Sequence, residues 1–170
     1  MQLLGSGTIM REVEAAADLL ASDHGVSADV WSCPSFTELG RDSVAVDRWN
    51  LLHPNAGEGG EQRRTAWVTD RLAERPAGPV VAATDYMRAF AEQIRPAVPA
   101  DRRYVVLGTD GFGRSDYRKA LRRHFEVDRQ HVVVATLSAL AADGTVPASA
   151  VTDAITRYDI DPDKLDPARA

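Results

Sequence analysis

The sequence predicts an α/β fold, a three-layer α/β/α sandwich around a mainly parallel sheet. Short apolar strings recur along it, QLLG, ADVWS, PVVAA and YVVLG, each too brief for a helix. Between them lie segments whose apolar residues repeat at helical spacing. Strands that alternate with helices pair in parallel, because each crossover helix returns the chain to the same end of the sheet. Such a sheet is buried on both faces, which explains strands that are apolar throughout.

Gln2, Leu3, Leu4 and Gly5 form the first predicted strand, ending in a turn at Gly5-Ser6-Gly7. Thr8 is positioned to cap a helix with Ile9, Met10, Val13, Ala16, Ala17 and Leu20 on one face. Arg11, Glu12, Glu14 and Asp18 then point away from that face, and His24-Gly25 ends the helix. A second strand covers residues 28–32. Ser35 followed by Glu38 is a capping-box signature opening a helix through Leu39, and residues 44–52 read as a separate helical piece stopped by His53-Pro54. NAGEGGEQRR, residues 55–64, is a flexible insertion rich in glycine and charge, and residues 66–74 suit a short helix. Residues 79–83 form the third strand, with Thr84 or Asp85 capping a helix over 86–96. Residues 104–108 form the fourth strand, and Ser115 is placed to cap a helix running to Phe125. The run HVVV at 131–134 is β-branched, yet Val133, Leu137, Leu140 and Ala141 continue at helical spacing, so it is assigned to a helix reaching Gly144. A last helix over 146–158 precedes an acidic tail at 159–170. One domain therefore spans 1–170.

Composition narrows the function. With 44% hydrophobic and 26% charged residues, 170 residues can build a core unaided. A net charge of −5 disfavours general nucleic-acid binding, which needs a basic surface to release counterions. One cysteine, Cys33, cannot pair internally, which implies a reducing, cytoplasmic setting. No apolar run approaches a membrane span, and the N-terminus lacks a secretory pattern. The chain opens directly inside an apparent strand, so a piece of a longer polypeptide is expected.

LLGSGTIMREVEAAADLLASDHGVSADVWS, SFTELGRD, RWNLLHP, ATDYMRAFAEQIRPAVPAD and LGTDGFGRSDYRKALRRHFEVD stand in that order. Together with the tail DAITRYDIDPDKLDPARA they resemble the C-terminal portion of the homodimeric pyruvate dehydrogenase component, a thiamine-diphosphate-dependent 2-oxo acid dehydrogenase. The resemblance covers nearly the whole chain and is loosest over 55–77. It implies a transketolase-type C-terminal domain, with a further antiparallel strand ahead of Met1 whose loss would bare a sheet edge. It also implies a homodimer whose two preceding domains bind thiamine diphosphate and Mg²⁺. The implied partner is a dihydrolipoyl acetyltransferase with its lipoyl domain. The chain lacks the family's GDG-type diphosphate motif, so no catalytic residue is carried onto it.

Residues Thr109, Asp110, Gly111, Phe112, Gly113, Arg114 and Ser115 follow a parallel strand, where ligands gather in open α/β sheets. Gly111 and Gly113 allow backbone turns, and Arg114 offers a fork for an anion. This loop either packs against a neighbouring domain, which is preferred, or touches substrate or cofactor. Arg118, Lys119, Arg122 and Arg123 put cations around one helix, either a solvated face or a docking patch for an acidic partner such as a lipoyl domain. His24, His53, His124 and His131 lack metal-ligand spacing, Cys33 reads as a small buried hydrophobe, and Trp31, Trp49 and Trp67 as core or interface residues. Gly5-Ser6-Gly7 reads as a tight turn, because Met10 stands where a dinucleotide fingerprint needs its third glycine. Asp159, Asp161 and Asp163 begin like a Ca²⁺ loop, but Lys164 and Ala170 stand where glycine and glutamate belong.

Two functions follow. As one lobe of the dehydrogenase, the chain alone is inactive and exposes apolar surface to its companions. As a stand-alone α/β module, it instead holds an anionic small molecule at loop 108–116.

Overall fold

In a computed structural model, which describes residues 1–59 and 61–169, four parallel strands lie in the order β2-β1-β3-β4. They are β1 (Gln2–Gly5), β2 (Asp29–Ser32), β3 (Val80–Ala83) and β4 (Tyr104–Leu107). Gly60, within the predicted insertion, and Ala170, at the end of the predicted tail and Ca²⁺-like string, lie outside the described residues.

Strand alternation divides the core. Leu4, Val80, Ala82, Tyr104 and Val106 face one layer, packed by α2 (Phe36–Leu52), α3 (Trp67–Ala73) and α4 (Arg88–Glu92). Leu3, Val81 and Ala83 face the other, where α1 (Met10–His24), α6 (Arg129–Ala142) and α7 (Ala148–Arg157) pack. The predicted sandwich is thus present, with α5 (Arg118–His124) beside the carboxyl end of β4. The run at 131–134 is helical as expected, because Val132, Val133, Leu137 and Leu140 form one buried stripe.

Several local expectations are corrected. Residues 36–52 form one helix, not two pieces. Its mid-helix Gly40 leaves room for the crossing chain, since an added Cβ would lie 3.0 Å from Gln93 Cβ. Ser35 does cap it, accepting a hydrogen bond from the Glu38 amide at 3.2 Å. Thr8 caps nothing: a 3₁₀ turn over Gly7–Ile9 leads into α1, and the Thr8 hydroxyl instead donates to Asp85. The helix expected over 86–96 shrinks to Arg88–Glu92 with a 3₁₀ turn at Arg95–Ala97. The Tyr86 carbonyl accepts from the Thr109 amide at 2.9 Å, while the Thr84 hydroxyl takes the Tyr86 amide rather than capping a helix. The 55–64 insertion is tied to α2, with the Arg64 amide donating to Asn50 at 3.0 Å and the Arg64 guanidinium over Trp49. Trp49 is therefore half-buried beside the insertion, stacked on His53 at 4.0 Å and outside the two core clusters. Trp67 is largely exposed. Among the described residues no helix is long and apolar enough to cross a membrane.

Candidate functional site at the carboxyl edge of the sheet

β2 and β3 flank β1 on opposite sides, so the sheet changes direction between β1 and β3. In open α/β sheets, loops diverge at such a switch point and leave a crevice beyond the carboxyl ends. Here the loops are stapled together. Asp85, just after β3, accepts from the Thr8 amide at 3.1 Å and from its hydroxyl at 3.0 Å. Gly7 has φ +57°, and any Cβ there would meet the Asp85 carboxylate, so glycine is needed for this approach. The Thr109 hydroxyl donates to the Asp85 carbonyl at 2.8 Å, and Arg88 Nε donates to Asp110 at 2.7 Å. A cleft of about 340 Å³ results, bordered by Thr8, Asp85, Thr109, Gly111, Arg114 and Arg118.

The loop read as an interdomain contact, or else as a ligand loop, lies at this edge, and its turn chemistry differs from the expected one. Gly111 adopts φ +111°, and a side chain there would collide with the Pro167 carbonyl of the tail. Gly113 has no left-handed backbone and nothing near it, so its glycine is not required for the turn. Ser115 is not a cap: α5 begins only at Arg118, and Asp116 accepts the Tyr117 amide at 2.7 Å. Phe112 is 82% exposed, and Tyr86 and Tyr117 also face solvent at this edge.

The basic helix is divided by burial. Arg122 is 15% exposed, donating to Glu12 at 2.6 Å and to the Thr8 carbonyl at 3.1 Å. Arg123 pairs with Asp128 at 3.4 Å and donates to the Tyr158 and Asp159 carbonyls. These two cations are fastenings, which leaves Arg118 and Lys119 as the two basic residues of the expected patch without such contacts among the described residues. Both are exposed, with no ion pair among the described residues. His131 bonds Asp128 at 2.6 Å, and His24 contacts the Tyr158 hydroxyl at 3.1 Å, so both histidines are structural.

Sequence reading missed the centre of this network. Glu12, placed there on the solvent side of α1, is buried and accepts from Arg129 Nε at 2.9 Å as well as from Arg122. Burial pushes its carboxyl pKa up, but the Arg129 hydrogen bonds and both guanidinium charges outweigh this and hold it below the ordinary value. Asp128 is balanced likewise: burial raises its pKa, and His131 with Arg123 brings it below the usual range. The partners of Glu12 lie 110 and 117 residues along the chain, so no local pattern announces them. Lys164 adds a tail fastening, donating to the His124 carbonyl at the end of α5 at 2.6 Å. Cys33 is buried as expected, and desolvation pushes its thiol pKa up to about 12.

Sheet order, switch-point cleft and helix-covered faces define the class. Residues 1–128 match the transketolase-like C-terminal domain model, and the chain belongs to that family. Within it, the chain is 57% identical to the pyruvate dehydrogenase E1 component of Pseudomonas aeruginosa and 58% to that of Cupriavidus necator, each over 98% of its length. It is 52% identical to that of Escherichia coli over its full length. The chain spans 18% of the length of each of these relatives. Among solved structures, a split gene transketolase, described as an inactive beta4 tetramer, superposes with a TM-score of 0.50 at 18% identity. That match covers 82% of this chain and 39% of the transketolase chain, and it supports the fold.

Proposed function

We propose that this chain is the C-terminal supporting lobe of a thiamine-diphosphate-dependent pyruvate dehydrogenase component. The carrying observation is identity of 57–58% over nearly the whole chain to E1 components of which it forms 18%. In the complete protein, pyruvate is decarboxylated and a lipoyl group on the acetyltransferase partner is reductively acetylated, within a homodimer. Companion domains hold thiamine diphosphate and Mg²⁺.

We assign that cofactor to the companion domains rather than to this chain. Among the described residues, no three His, Cys, Asp or Glu side chains gather closely enough to hold a divalent ion. The sequence also lacks the GDG-type motif, so no chemical step is assigned to this chain. Its surface supports the lobe reading instead. Leu51 is 78% exposed on α2, near exposed Val44 and Leu52, and Phe112 projects from the carboxyl edge. A companion domain seated on these side chains would remove them from water.

The test is reconstitution. Companion domains expressed without this lobe should lose most pyruvate-dependent acetylation of a lipoyl domain, and adding the chain in trans should restore it. The isolated chain should show no calorimetric response to thiamine diphosphate with Mg²⁺. Saturable binding of the cofactor by the chain alone would refute the reading.

A further inference from the structure

We propose that the cleft between α1, α5 and α6 binds a small polyvalent oxyanion of the phosphate or pyrophosphate class. The cleft measures about 700 Å³, within the range of small-molecule sites. It adjoins the carboxyl-edge cleft along α5, and Arg118 and Arg122 border both. Five cations line it, Arg118, Lys119, Arg122, Arg123 and Arg129, against the carboxylates of Glu12, Asp128 and Asp159. The chain as a whole carries a net charge of −5, so this concavity runs against the general sign.

The carboxylates do not cancel the surplus evenly. Glu12 is 7% exposed at its side chain and spends both oxygens on Arg122 and Arg129. Asp128 is engaged by Arg123 and His131. Asp159 alone among these three stands exposed, at the rim. The arginines are thereby fixed in direction at no cost to a ligand. Arg129 remains 43% exposed, with Nε and Nη2 held by Glu12 and Nη1 without a protein acceptor among the described residues. Arg118 and Lys119 stand above it with all their donors uncommitted to described residues. Anchored guanidiniums beside exposed, unpaired cations suit an anion with several oxygens, because a planar fork binds two at once. Concavity favours a compact anion over an extended acidic segment, which would need a longer charged track.

The experiment is an amide chemical-shift titration of the chain with inorganic pyrophosphate at low ionic strength. Saturable shifts are expected at Arg118, Lys119, Arg129 and Gln130. The double variant Arg118→Ala/Lys119→Ala lies on the exposed surface and should keep the parent spectrum elsewhere, while its affinity falls by at least about tenfold. Shifts that are absent, unchanged in the double variant, or matched by chloride at equal ionic strength would overturn the proposal. A response to an acidic polyglutamate peptide without one to pyrophosphate would also overturn it, in favour of a protein segment.

Discussion

Replacing Glu12 by glutamine should destabilise the domain far more than its place on a charged helix surface suggests. Glu12 is nearly buried, and its carboxylate is the shared anion of Arg122 and Arg129. Removing one member of a buried ion pair costs about 3–5 kcal/mol, chiefly because the remaining charge is stranded. Arg122, 15% exposed, meets that condition, whereas Arg129 at 43% retains much of its hydration. The lower end, about 3 kcal/mol, is therefore expected, with a Tm drop of roughly 6–12 °C for a chain of this size. The pH dependence has a definite sign. The folded pKa of Glu12 lies below its ordinary value of 4.5, so its contribution is complete above that pH and is lost as pH falls through the folded pKa. Glutamine should abolish that acid-side loss. Replacing the triad together, by Glu12→Leu, Arg122→Met and Arg129→Met, should recover most of the stability, because no charge is then stranded. Thermal and urea unfolding across pH 3–7 measures all three proteins. A Glu12→Gln variant within about 0.5 kcal/mol of the parent, with its acid limb intact, would refute the reasoning.

Gly111→Ala should cost more than about 1 kcal/mol, because φ is +111° there and the new methyl meets the Pro167 carbonyl; hydrogen exchange should quicken in the tail. Ser35→Ala should remove about 1 kcal/mol by freeing the Glu38 amide at the start of α2, read from urea midpoints. Native Cys33 should resist iodoacetamide at pH 8, since burial lifts its thiol pKa to about 12, and should alkylate fully once unfolded, as mass spectrometry would record. Leu137→Ala, in the fully buried stripe of α6, should lose about 2–5 kcal/mol in the same urea assay.

The expected strands and helices differ from the observed ones chiefly where another segment intrudes. The break expected after Leu39 is absent, and Gly40 is a close approach by Gln93 inside an unbroken α2. Ser115 reads as a cap, but loop 109–113 is held by Arg88 and Pro167, and the helix starts three residues later. Where the signal was a stripe rather than a terminus, it survived: residues 131–134 are β-branched yet helical, because Leu137 and Leu140 extend the same buried face.

Residue pattern alone was sufficient for the alternation of strands and helices, for a sheet covered on both faces and for the family. Each of these depends on local periodicity and short motifs, which a linear string carries intact. Sheet order, the switch point beside Asp85 and the division of the basic helix into fastened and free cations had to await the folded chain. They rest on contacts between distant segments: Glu12 with Arg122 and Arg129, Gly111 with Pro167, Lys164 with the end of α5. A charge's environment is set by what packs over it, and linear neighbours do not record that.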